Sequence, residues 1–177
     1  MHSHLGRFGA GLTTALLVTA HAVAGPERVS LPSGYKDHVT YLTADRPFND
    51  TVRVFYASPG AAKSVRSGRP LPRGSVVTME VYKAEADARG RPVKGADGRF
   101  TRGELVAIMV MEKRSGWGAE YPKDIRNGEW EYAEFRPDGS RHEPSDTRAC
   151  LECHKQVSKQ DFVFTFSALV ANKEKTP

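Results

Sequence analysis

Cysteine is almost missing from this chain: Cys150 and Cys153 are the only two in 177 residues. One tight disulfide between them is therefore the most that an oxidising compartment could form. Histidine is scarce as well. Beyond residue 24 only His38, His142 and His154 occur, which leaves a zinc site short of ligands at workable spacing. After the first thirty residues no apolar run approaches the roughly 20 residues that a membrane-spanning helix needs. Blocks of like charge are absent too: 26 Lys+Arg stand against 21 Asp+Glu, a formal charge of +5, and this mild, scattered excess does not point to nucleic acid. There is no internal repeat and no low-complexity tract. The composition that remains is that of one ordinary globular domain, long enough to bury a core around a cofactor.

The first segment stands apart from that domain. His4 and Arg7 precede the stretch Phe8 to Ala20, whose apolar heart is Leu12, Ala15, Leu16, Leu17 and Val18; Ala22-Val23-Ala24 then supplies small residues. These three parts predict a cleaved secretory signal over residues 1–24 and a single domain over 25–177, exported to the periplasm. An uncleaved anchor is the alternative, although the apolar part is short for a span. Cleavage removes Arg7 and no acid, leaving 25 Lys+Arg against 21 Asp+Glu, a net +4. Such a surface suits an acidic redox partner protein, and equally a plain solvated face.

Export changes how the two cysteines read, because His154 follows Cys153 directly. Cys-x-x-Cys-His is the spacing of c-type haem attachment. On a helix, positions three apart share a side, so both sulfurs can reach the vinyl groups along one porphyrin edge. His154, four residues from Cys150, faces the same way and can place an imidazole nitrogen on the iron. Asp146, with Ser145 before it, is a candidate cap for that helix. The competing readings are the disulfide and a thioredoxin-like redox pair, which normally opens a helix after a strand in an α/β domain. Arg148 and Lys155, beside the motif, are candidates to pair with a haem propionate.

Upstream, the pattern is one of strands. Leu31 to His38 reads as a turn leading into a short helix. Val52 to Ala57 alternates, with Val52, Val54 and Tyr56 against Arg53, and suits a strand. Pro59 to Gly68 is expected as a short helix capped by Ser58, with Pro59 at its first position. A turn over residues 69–74 leads to a β-branched strand, Ser75 to Tyr82, and residues 86–99 form a charged, Gly-rich hairpin or loop. Leu105 to Met111, the most apolar run outside the signal, favours a buried strand. Glu129 to Phe135 is a further, aromatic-rich strand closed by the turn Pro137-Asp138-Gly139. Phe162, Phe164 and Phe166 alternate, which suits a strand or extended segment packed on the attachment helix. Trp117, Trp130 and Tyr132 either wall a pocket or fill the sheet. The expected fold class is α+β: a mainly antiparallel sheet with a few short helices, unlike the all-helical small cytochromes.

Several pieces in this order resemble a known family. They are Leu31-Pro32-Ser33-Gly34-Tyr35, Val52-Arg53-Val54-Phe55-Tyr56, the run Gly74 to Tyr82, Gly116-Trp117-Gly118, the run Cys150 to Lys155, and Asp161-Phe162-Val163-Phe164-Thr165. Together they resemble cytochrome P-460 and its relative cytochrome c′-beta. The resemblance implies an antiparallel β-sheet scaffold, usually homodimeric, with one covalently attached haem c near the C-terminus. It further implies His154 as proximal iron ligand and a distal pocket lined by sheet residues. Members include hydroxylamine-oxidising enzymes and nitric-oxide-binding proteins.

Two departures bear on activity. In the enzymes a lysine from the strand after the Gly-Thr/Ser-Val turn is cross-linked to the haem; here the corresponding residue is Met79. Lys83 shares that strand face but lies about 13 Å further along. The distal glutamate that relays protons in the enzymes would fall near Met109, and a thioether cannot take up and return a proton as a carboxylate does. Met79 and Met109 are therefore candidates either for distal packing or for an axial thioether, which would raise the reduction potential. Met109 and Met111 should share a strand face. His142, in a polar loop, is a surface residue first and a sixth ligand only second, and His38 is structural or exposed. The expected function is an exported mono-haem cytochrome that transfers electrons or binds a small gas or nitrogen oxide. The alternative is an oxidoreductase of hydroxylamine or nitric oxide.

Overall fold

The computed structural model describes residues 28–143 and 147–175. The signal segment and the capping pair Ser145-Asp146 lie outside the described residues. Five strands follow one another as an antiparallel meander: β1 (Val39–Arg46), β2 (Thr51–Ala57), β3 (Val76–Ala84), β4 (Arg102–Lys113) and β5 (Trp130–Phe135). Helix α1 (Pro59–Ser64) lies in the β2–β3 connection, and α2 (Thr147–Lys155) and α3 (Phe166–Lys175) follow the sheet. The α+β class expected from the sequence is what the chain adopts, and among the described residues no helix is long and apolar enough to cross a membrane.

Register explains what each side of the sheet carries, because directly paired residues point to the same face. One row runs Leu42, Phe55, Met79, Met109, Glu134, and the next runs Val39, Ala57, Val77, Met111, Tyr132. Both lie on the face covered by α2 and α3. A row on the opposite face contains Val54, Glu80, Ile108 and Phe135. Each face has its own core: Tyr41, Phe55, Val77, Trp130, Leu151 and Leu169 belong to one, and Val29, Tyr35, Val54, Ile108 and Phe135 to the other. A sheet covered on both sides cannot show a clean apolar and polar alternation.

That is why some expectations need correcting. β1 is a full edge strand that the sequence reading did not anticipate. Only Tyr41 is buried in it, and its register shifts between Thr40 and Leu42, so its pattern is polar and irregular. Helix α1 stops at Ser64 instead of reaching Gly68, because Val65 turns extended (φ −55°, ψ 136°) and enters the core. Ser58 does occupy the N-cap position, its carbonyl accepting from the Ala62 amide at 3.0 Å, but its hydroxyl accepts the Val76 amide at 3.1 Å instead of a helix amide. β4 is longer than the apolar run and begins at the solvent. Residues 162–166 do not form a strand. Asp161 (φ 53°) and Phe162 (φ 62°) both take the left-handed conformation, and Phe166 already opens α3. Non-glycine residues there are strained by about 1–2 kcal/mol each, so neighbouring contacts must hold this turn. Gly118, in the Gly-Trp-Gly segment, has no room for a side chain: a Cβ would run into the Gly128 carbonyl.

Candidate functional site

Helix α2 is fixed to the sheet by what lies beneath it. Leu151 is fully buried, and the buried Asn127 amide donates to the Leu151 carbonyl at 3.0 Å and to the Tyr132 hydroxyl at 2.9 Å. The helix therefore presents Cys150, Cys153 and His154 to one cavity. The two thiols are not joined in a disulfide. Among the described residues no three His, Cys, Asp or Glu side chains are placed to hold a metal ion together.

His154 is held on several sides. Its Nδ1 lies 2.7 Å from the Phe162 carbonyl oxygen, which can only accept, so Nδ1 carries the proton and Nε2 keeps its lone pair. The Tyr132 ring sits 4.6 Å away at a tilt, and the Phe164 ring 5.2 Å away edge-on. Burial lowers the imidazole pKa, and the bond to Phe162 opposes that only in part. A neutral, oriented imidazole is the form that binds a metal.

The cavity, ≈ 390 Å³, lies between this helix and the sheet. Phe55, Val77, Met79, Met109 and Met111 make its sheet-side wall, and Val163 and Phe164 close the helix side. All five residues singled out from the sequence (Cys150, Cys153, His154, Met79 and Met109) thus line one space. Met79 and Met109 are direct cross-strand partners, with Met111 on the same face as expected. Lys83 is elsewhere: it is exposed and paired with Glu104 at 3.4 Å. Of the other candidates, Arg148 pairs with Glu152 at 2.7 Å, and Lys155 donates to the carbonyls of Lys123 and Arg126. His142 is exposed as expected, 3.1 Å from the Glu134 carboxylate. Tyr132 walls the cavity, Trp130 fills the core, and Trp117 packs on the other face.

Three charged residues of this site escaped the sequence reading. Arg46 and Arg53 line the cavity, and Arg53 has a buried Nε without a hydrogen-bond partner. Burial, and then the Arg46 charge, lower the Arg53 pKa. Glu134 also lines the cavity, beside Met109 in its cross-strand row. The wall near Met109 therefore does carry a carboxylate, supplied by the neighbouring strand. Register alone reveals it, and register cannot be read along a single strand.

A haem fits this donor set. It offers a flat apolar body for the apolar walls, vinyl groups for two thiols, iron for one imidazole, and propionates for Arg53, which has no ion-pair partner among the described residues. The chain matches the family described as Cytochrome P460 over residues 32–165. No curated protein matches it. Because that match takes in the sheet wall and the helix wall alike, the chain belongs to the cytochrome P460 family and is a haem-binding cytochrome.

Proposed function

We propose that this chain is an exported mono-haem c-type cytochrome that binds a small neutral gas, such as nitric oxide or carbon monoxide, on the sheet side of its iron. One observation carries the reading: among the described residues the Cys-x-x-Cys-His motif faces a sheet wall with no imidazole or amine, where Phe55, Val77 and three methionines lie, and Glu134, Arg46 and Arg53 are the charged side chains of the lining. Cys150 and Cys153 would hold the haem through two thioether bonds and His154 would bind its iron through Nε2. Arg53, with Arg46, would receive the propionates. When bound, the haem supplies an iron that changes oxidation state and takes up a diatomic molecule. The apolar wall admits neutral diatomics and disfavours charged ligands, which lose hydration without gaining partners. Residues 1–24 are removed on export to the periplasm, and the mature protein pairs as a homodimer, as its family usually does.

Electron transfer is the outcome if Met79 or Met109 places its sulfur on the iron. The oxidoreductase reading gains from Glu134, a carboxylate at the cavity wall whose neighbour His142 reaches solvent. Such a pair could pass a proton between a bound nitrogen compound and water.

Expression with the haem-attachment machinery tests all three. The expected product carries one covalent haem by mass, shows a c-type spectrum after reduction, and binds carbon monoxide rapidly. A far-red thioether-to-iron band with blocked carbon monoxide binding would move the assignment to electron transfer. Hydroxylamine turnover abolished by Glu134→Gln would move it to the oxidoreductase. A red-shifted Soret band of the cross-linked type would contradict the absence of a lysine linkage. Covalent haem that persisted in the Cys150→Ala, Cys153→Ala double variant would overturn the attachment site.

A further inference from the structure

We propose that Asp161 is a positioning residue for the iron ligand: by anchoring a strained turn to two distant segments, its carboxylate sets the Phe162 carbonyl that orients His154. The inference rests on the reading of His154 as proximal ligand.

Asp161 and Phe162 are consecutive residues in the left-handed region, directly after the 3-10 turn Ser158–Gln160. An unsupported chain would leave that conformation readily. Local hydrogen bonds close the turn, from the Phe162 amide to Val157 O at 3.1 Å and from the Val163 amide to Gln160 O at 3.1 Å. They do not set where the turn sits relative to the sheet. That falls to the Asp161 side chain. Its oxygens accept from Lys113 Nζ at 2.9 and 3.0 Å and from the Leu71 amide at 2.8 Å. Both partners of the ion pair are largely buried, with side chains 10% and 8% exposed.

The anchor points are themselves rigid. Lys113 ends β4; its backbone exchanges hydrogen bonds with Gly74 and Ser75, and its ammonium lies over the Trp130 ring at 5.5 Å. Leu71 is a core residue. One carboxylate therefore joins the 69–74 turn, the end of β4 and the turn bearing Phe162. Beyond it, Tyr41 and Thr165 share a 2.6 Å hydrogen bond that holds the far side of the segment to β1.

A short, well-aligned Nδ1–H to carbonyl bond gives the imidazole anionic character. It makes the ring a stronger donor to iron and stabilises the oxidised state. Loosening the turn lengthens that bond and reverses both effects. A merely structural ion pair would change stability and leave the iron–imidazole bond alone.

The test uses the haem-loaded protein and compares Asp161→Asn, Lys113→Met and Lys113→Arg with the wild type. Two readouts are taken, the ferrous iron–histidine stretching frequency by resonance Raman and the midpoint potential. Asp161→Asn and Lys113→Met should each lower the frequency and raise the potential, whereas Lys113→Arg, which keeps the cation, should stay near wild type. Lys113→Met keeps the proposal falsifiable should Asp161→Asn not fold. Asp87→Asn, which removes an exposed pairing with Arg91 in the 86–99 loop, should move neither signal. Variants that melt earlier but keep the wild-type frequency and potential would overturn the inference. A His154→Ala variant that kept the wild-type Raman spectrum and potential would instead overturn the assignment of His154, and the inference with it.

Discussion

The two faces of the sheet are built from adjacent residues of the same strands, yet they do opposite things. On the helix side, Phe55, Met79 and Met109 leave a cavity. On the other side their chain neighbours surround a buried carboxylate. Glu80 is fully buried there and accepts hydrogen bonds from Tyr35 at 2.7 Å, Tyr56 at 2.6 Å and Tyr82 at 2.8 Å. Lys36 approaches the same carboxylate at 3.6 Å. A buried charge whose acceptor sites are filled holds its surroundings in one arrangement, here tying the 3-10 turn at Tyr35–Asp37 to β2 and β3. Thioethers ask for no such partners, so methionines can line a space shaped for a flat apolar guest. One face carries the specificity of the fold, and the other carries the chemistry.

The sharpest way to break this division is Glu80→Ala. It strands the hydroxyls of the buried Tyr35 and Tyr56 and the half-buried Tyr82 and should lower stability by about 3–5 kcal/mol, a fall in melting temperature of roughly 10 °C, while the reduced haem spectrum stays unchanged. A spectral shift accompanying the lower melting point would show that the faces are coupled. Tyr35→Phe removes one donor to the carboxylate and should cost about 1–2 kcal/mol in urea unfolding.

Acid sharpens the same contrast. Burial alone would raise the Glu80 pKa, but the three tyrosine hydroxyls and then Lys36 bring it below its ordinary value. A depressed folded value means that its contribution is fully present above about pH 4.3, the unfolded carboxyl range, and is lost as pH falls toward the folded value. Stability of the wild type should therefore decline toward that of Glu80→Gln in this window, measured by unfolding at stepped pH. The smallest effect on stability belongs to the cavity face. Met109→Leu, at a position already 38% exposed, should cost less than about 1.5 kcal/mol, yet it should change the carbon monoxide association rate. If Met109→Leu destabilised more than Tyr35→Phe, the division of labour would fail.

The shared side of the Cys-x-x-Cys-His motif was legible because spacing within a helix is local. Cys150, Cys153 and His154 lie within about one helical turn, so spacing alone puts them on one side. The strands at Val52, Ser75, Leu105 and Glu129 were legible from β-branched and aromatic runs. Arg53 was not, although its alternation was read correctly. Alternation assigns a residue to a face but does not say whether that face meets water, and here both faces are covered. Glu134 was hidden for a different reason: its closeness to Met109 arises from the pairing of β4 with β5. β1 was missed because an edge strand with a register shift has little apolar pattern to display.

From the sequence alone, then, came a Cys-x-x-Cys-His motif at the C-terminal end of a β-rich chain, and methionine at the two positions where the resemblance placed lysine and glutamate. Only tertiary structure decided what surrounds them: Met79 beside Met109, Glu134 returning a carboxylate to the same wall, Arg53 aimed into the cavity, and Asp161 holding the turn whose carbonyl orients His154. The physical reason is reach. Covalent spacing acts within a turn of helix, whereas cross-strand register and burial join residues tens of positions apart, and no single stretch of chain encodes those on its own.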